Sequence, residues 1–309
     1  MKVLGIGNAI VDVLCKVDDE FLNKNSLIKS TMKLIDEKEF KNLISELKVE
    51  KTISGGSVAN TIVGLSQLGN DVGFIGKIKD DDLGKKYEDG LIKENVNFLY
   101  SKKNEPIPTG TCLILITPDS ERTMCTFLGI AGKVSDEDVS AIKVKKSKIT
   151  LLEGYLWDEG EPKKAFNKAI NNANKVAMSL SDLFCVERHK LQFLEMVKNK
   201  LDVTLCNEQE ITSLTDAKNF SDVISFCKSI NRLIVVTRGE KGSMAIYKND
   251  IFECPSKQDL DIKDLTGAGD LFAAGFLHGY INDLPLQDSL ELGTDMSSKI
   301  IQKIGARLN

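Results

Sequence analysis

Apolar residues fall in short blocks along this chain, and the spacing within the blocks switches between two types. KVLGIG (2–7) and VGFIG (72–76) are brief, nearly continuous apolar runs, the pattern of strands buried on both faces. Between them, 36–48 has helical spacing. SGGSVANTIVGLSQLG (54–69) opens on glycines and continues as a helix, with Ile62, Leu65 and Leu68 close to one face. TCLILIT (111–117) and RTMCTFL (122–128) flank the turn PDSE, which predicts an antiparallel hairpin in a separate small sheet.

Beyond the hairpin, strands and helices alternate. KITLLEG (148–154) precedes a helix at 161–174, VAMSLS (176–181) one at 187–198, and VTLCN (203–207) helices through 230. RLIVVTRG (232–239) is a further buried strand, a turn leads into SMAIYK, and helices follow at 267–281 and 285–304. This alternation predicts a parallel sheet covered by helices on both sides. No internal repeat or low-complexity tract is visible, and no proline-rich linker marks a boundary.

Composition narrows the function. The 309 residues are 42% hydrophobic and 28% charged, enough for a large core. The net charge of −4, without a basic stripe, argues against a dedicated nucleic-acid or membrane-surface binder. The first residues are not expected to act as a signal peptide, and no run of roughly 18 apolar residues is visible. Seven cysteines without a CxxC pair, and only two histidines, argue against a disulfide framework or a His-rich metal site. The expectation is a soluble, reduced, cytoplasmic protein.

The chemistry concentrates in three stretches at or just beyond strand ends, where open parallel sheets bind ligands. In LTGAGDLFAAGFLHG (265–279), Gly267, Ala268 and Gly269 let main-chain N–H groups approach a ligand, and the helix they open turns its positive end outward. Asp270, in the first turn, would be repelled by a bound polyphosphate. It is either an acid capping a core helix or a general base for an incoming hydroxyl. Ala273, Ala274 and Gly275 are expected to let this helix lie close to the sheet. In CNEQE, Asn207 and Glu210 read equally as a capping pair or as water-mediated Mg²⁺ ligands. In VVTRGEKGS, Thr237, Gly239 and Gly242 form either a plain turn or a nucleotide-phosphate contact.

Taken together, these motifs are similar to those of the ribokinase-like (PfkB) carbohydrate and nucleoside kinases. LTGAGDLFAAGFLHG resembles that family's C-terminal signature, SGGSVANTIVGLSQLG its N-terminal one, and NEQE and TRGEKG its Asn-x-x-Glu and Thr-x-Gly-x-x-Gly elements, in the family's order. The resemblance implies a three-layer αβα domain with a mostly parallel sheet plus a small β lid. Residues 1–13, 36–98 and 129–309 would form the large domain, and 14–35 and 99–128 the lid. It also implies transfer of the ATP γ-phosphoryl group to a primary alcohol. Asp270 would be the base and Gly267–Gly269 the anion hole. Asn207 and Glu210 would hold Mg²⁺ through water, and Asn207, Thr237, Gly239 and Gly242 would contact ATP. K⁺ is a candidate activating cation.

For the acceptor, the resemblance implies Asn8, Asp12, Gly56, Ser57 and Asn60, with Asp12 taking hydrogen bonds from vicinal hydroxyls. Arg122 is a candidate for closing the lid over phosphate or acceptor. Ser57 stands where ribokinase-type sugar kinases often carry lysine. GNAIVD, ERTM and LSDLFCVERH look more like adenosine-kinase-like bacterial members. The expectation is therefore a purine nucleoside 5′-kinase, adenosine first, with a ribokinase- or fructokinase-type sugar kinase as the alternative. Phe127, Phe184 and Trp157 are the candidates for stacking on the base. A non-catalytic nucleoside-binding protein is a weaker reading. A dinucleotide enzyme is rejected because Ile10 replaces the third glycine of GIGNAI. The chain is expected to be a monomer or a lid-mediated homodimer.

Overall fold

A computed structural model describes residues 1–101, 103–119, 121–158 and 160–308. Among them, fourteen strands form two sheets. In chain order they are β1 (Val3–Ile6), β2 (Ile10–Lys16), β3 (Met32–Leu34), β4 (Val49–Ser54), β5 (Val72–Ile75), β6 (Asn97–Phe98) and β7 (Gly110–Ile116). β8 (Arg122–Phe127), β9 (Ile149–Glu153), β10 (Val176–Ser179), β11 (Val203–Asn207), β12 (Leu233–Thr237), β13 (Ser243–Tyr247) and β14 (Asp250–Cys254) follow.

The large sheet runs β14-β13-β12-β11-β10-β9-β1-β5-β6 and is parallel from β12 to β6, with two antiparallel strands on one edge. Its strands are apolar throughout because alternate side chains enter two cores. Val3, Leu151 and Val235 pack with the Ser57–Gln67, Ala268–Ile281 and Leu286–Ile300 helices. Leu4, Leu152 and Val236 pack on the opposite face with the Glu161–Asn172, Leu183–Asn199 and Phe220–Ser229 helices. Both cores are expected of a three-layer αβα domain.

The small sheet runs β3-β8-β7-β2-β4 and contains the expected hairpin; Ser120 of its turn lies outside the described residues. It takes in more chain than its expected ranges 14–35 and 99–128. β2 starts at Ile10 and β4 pairs with it, although 49–54 fell in the expected large-domain segment. β4 has no apolar run to mark it, because VEKTIS is a polar strand exposed over its first three residues. The Glu37–Ser45 helix also belongs with this sheet, since Phe40 stacks on Phe127 at 5.6 Å.

Alternation gives the small sheet two unlike faces. Val11, Val13, Leu113, Leu115 and Cys125 point into the main core. Ile10, Cys112, Ile114 and Met124 form the other face, in the same register as Asp12. That face covers the C-terminal ends of the large sheet. The chain leaves β1 for β5 on one side and reaches β9 on the other, so β1 and β9 flank the topological switch point.

One packing expectation needs correction. The small residues of the Ala268–Ile281 helix close on neighbouring helices rather than on the sheet. A Cβ on Gly275 would lie 2.3 Å from the carbonyl oxygen of Leu292, and a Cβ on Gly64 would lie 2.8 Å from the Ala274 methyl group. The helix expected at 285–304 ends at Ile300, and the chain turns back through Gly305 (φ 101°).

Candidate active site

A cavity of about 530 Å³ lies between the two sheets. Asn8, Glu153, Ser179, Asn207 and Thr237 line it from the ends of β1, β9, β10, β11 and β12. Ile10, Asp12, Cys112, Ile114, Met124 and Thr126 line it from the small sheet. Gly267, Ala268, Gly269 and Asp270 border it, as do Gly56, Ser57 and Asn60.

Two glycines shape its walls. Gly267 has φ 79°, and a Cβ there would sit 2.7 Å from the Ala306 backbone. Gly56 has φ 96°, and a Cβ would meet the Asn8 carbonyl oxygen at 2.4 Å. Both open helices without a side-chain cap. At the Gly267 helix, Ala268 N–H bonds the Leu265 carbonyl. The N–H groups of Gly269 and Asp270 have no backbone acceptor among the described residues. This is the donor set of an anion site.

Asp270 faces the cavity from the first turn. Its Oδ1 accepts from Ser57 Oγ at 2.6 Å and its Oδ2 from Asn60 Nδ2 at 3.0 Å. Burial raises its carboxyl to about 6 against the pull of Ser57, Asn60 and Arg307, so it is ionised at neutral pH yet basic enough to take a proton. The two helix starts are thus joined through their side chains.

Asp12 stands on the lid face, raised to about 7 by burial, with Arg307 and Arg122 opposing. Asn8 donates twice to Glu153 Oε1, from its N–H at 3.1 Å and its Nδ2 at 2.9 Å. Glu153 Oε2 accepts from Val58 N–H at 2.9 Å. This fixes the Asn8 amide with Oδ1 buried and unpaired among the described residues, an acceptor in want of a donor. Glu153 itself is raised to about 7 by burial.

Asn207 and Glu210 form the capping box: Asn207 Oδ1 accepts from Glu210 N–H at 2.8 Å, and Glu210 Oε2 from Asn207 N–H at 3.1 Å. Glu210 Oε1 also accepts from Asn207 Nδ2 at 2.7 Å. With both oxygens engaged, the pair suits a hydrated ion carried in with phosphates rather than a resident metal. No group of three or more metal-ligating side chains occurs among the described residues.

Not every expected site residue reaches the cavity. Arg122 shares the lid face but ends on Asp264 at 2.9 Å, tying the small sheet to the loop before Gly267. Thr237 lines the cavity and an adjoining groove, Gly239 only the groove, and Gly242 neither. Gly242 instead turns tightly against Cys254. Phe127 is a core residue under Phe40, whereas Trp157 and Phe184 do line the cavity. Glu153 and Arg307 are among the residues at the site that sequence reasoning missed. Glu153 had a signal, a lone acid closing the apolar run ITLL; Arg307, in a short polar tail, had none.

The seven cysteines are all buried and free, and no described helix is long and apolar enough to cross a membrane.

Known proteins share this architecture. Residues 23–309 match the pfkB family carbohydrate kinase domain. The crystal structure of adenosine kinase from Sinorhizobium meliloti is 36% identical, with a TM-score of 0.91 over 99% of this chain and 95% of that one. A probable sugar kinase from Rhizobium etli CFN 42 is 34% identical, with a TM-score of 0.90 over 99% of this chain and 94% of that one. A 5-dehydro-2-deoxygluconokinase from Clostridium botulinum is 26% identical over 84% of this chain and 81% of that one. The chain is therefore a kinase and belongs to the pfkB family of carbohydrate kinases.

Proposed function

We propose that this kinase transfers the γ-phosphoryl group of ATP to the 5′-hydroxyl of a purine nucleoside, adenosine first. The observation that carries this reading is the pairing of two carboxylates in one cavity. Asp270 stands at an anion-binding helix start, and Asp12 stands under an apolar sheet face. Bound ATP, with Mg²⁺, supplies the phosphoryl group.

The chain's own residues do the rest. Ser57 and Asn60 aim the Asp270 carboxylate, which takes the proton of the acceptor's primary hydroxyl. The Gly269 and Asp270 N–H groups face charge on the transferring oxygens. Asn207 and Glu210 would hold a hydrated Mg²⁺, which would offset charge on the phosphates, and Thr237 would contact the nucleotide. Asp12 accepts from the two ribose hydroxyls, and Asn8 Oδ1 takes a further donor from the acceptor. The Arg122–Asp264 pair holds the lid down, which keeps water from competing as acceptor.

The lid face favours a nucleoside over a free sugar. A bound sugar presents hydroxyls all round, each needing a polar partner. Here Ile10, Cys112, Ile114, Met124 and Leu128 make a mostly apolar wall beside one carboxylate, with Trp157 and Phe184 lining the same cavity. That suits a flat base joined to a diol. The sugar-kinase reading keeps support from the Clostridium botulinum relative.

The test is a panel of adenosine, inosine, guanosine, ribose, fructose and 5-dehydro-2-deoxygluconate with ATP, read by ADP release. Adenosine is expected to give the highest kcat/KM. A sugar in first place would replace the acceptor and leave the kinase. Nucleoside binding without any ADP release would remove the catalytic reading altogether.

A further inference from the structure

We propose that Arg307, from the C-terminal tail, is a positioning residue that locks the Asn60 amide onto the catalytic carboxylate and supplies the buried counter-charge of the acidic cluster around it. The inference rests on the reading of Asp270 as the base.

The tail is built into the site. Gly305 N–H donates to Asp264 Oδ2 at 2.7 Å, and Asp264 Oδ1 accepts from the N–H and hydroxyl of Thr266 at 3.0 and 2.7 Å. Ala306 packs against Gly267 and lines the cavity. Arg307 Nε then donates to Asn60 Oδ1 at 3.1 Å. An amide has one accepting and one donating end. With a guanidinium on the oxygen, Nδ2 is left for Asp270 Oδ2, 3.0 Å away. Without Arg307 the amide is free to rotate and offer its oxygen to the carboxylate, which would repel it.

The charge matters as much as the bond. Asp270 shares its surroundings with Asp12 from β2, Glu153 from β9 and Tyr155 beyond it, all of which disfavour further negative charge. Arg307 acts on both Asp12 and Asp270, and Arg122 acts on Asp12. Its Nη2 is buried without a partner among the described residues, so part of the guanidinium is not used in holding the fold.

The experiment is the pH dependence of kcat, with saturating ATP and adenosine, for wild type, Arg307→Met and Arg307→Lys, beside thermal melts. Arg307→Met is expected to lower kcat roughly 10- to 100-fold and move its acid limb up by about one pH unit, because losing the nearby cation raises Asp270. Arg307→Lys, which keeps the charge, should leave the limb at its wild-type position and recover part of kcat. A residue that only braces the tail would lower the melting temperature and leave the limb of Arg307→Met in place, which overturns the inference. Should Arg307→Met not fold, Arg307→Gln takes its place: an acid limb displaced upward by about one unit supports the proposal, and a limb at the wild-type position refutes it. Asp270→Asn separates the two levels. If that variant turns over normally, the base reading fails. If it is inactive while Arg307→Met keeps wild-type kcat and limb, only this inference fails.

Discussion

Asp270→Asn is expected to lower kcat by about 10²- to 10⁴-fold, the typical contribution of a positioned general base. The substitution is nearly isosteric, and its effect on the fold should be small. The asparagine oxygen can accept from Asn60 Nδ2, and its amide can donate to Ser57 once that hydroxyl turns round. ATP affinity, measured by calorimetry, should be unchanged or slightly tighter, because a negative charge has left the neighbourhood of the phosphates. A large loss of ATP binding together with kcat would instead mean that Asp270 holds the helix start together.

Asp12→Ala is expected to act on the acceptor. Two charge-assisted hydrogen bonds worth about 1.5–3 kcal/mol each put the loss in kcat/KM on the order of 10²- to 10⁴-fold, carried mainly by KM. Removing the same bonds from the other side gives a second measurement. Wild type should discriminate strongly against 2′- and 3′-deoxyadenosine, and the variant should not, since neither partner's loss matters once the other is gone. Equal discrimination in both proteins would place the diol elsewhere.

The large domain was legible from the sequence because its signals are local. Continuous apolar runs such as RLIVVT and ITLL mark strands buried on both faces, and helical spacing marks what covers them. The GAG turn was legible for the same reason: Gly267 has a positive φ, which few other residues accept. The lid was read only in part. β4 carries Glu50 and Lys51 and is exposed over its first half, so nothing in its own pattern separates it from a loop; it is a strand because β2 offers it an edge.

The site followed the same division. Asp270, Ser57 and Asn60 belong to glycine-led helix starts that can be recognised singly, and folding brings them into one hydrogen-bonded set. Arg122 and Asp264 are 142 positions apart in sequence, and nothing local announces their contact. The same holds for Arg307 and Asn60, which are 247 positions apart. Phe127 looked as eligible as Trp157 for stacking until strand alternation turned it into the core.

The most direct test of the account is the pH dependence of single-turnover phosphoryl transfer from ATP to adenosine, at saturating acceptor, between about pH 4.5 and 8. A bound diol favours the ionised form of Asp12 and takes its titration out of this range, and Glu153, raised to about 7, is distinguished by Asp270→Asn, whose residual rate should lose the step near 6. The Asp270 carboxyl sits at about 6. Because the base must be ionised to accept a proton, the rate should be flat above roughly pH 7 and fall about tenfold per unit below 6. A rate independent of pH across that range, in enzyme that remains folded, would contradict proton transfer to Asp270.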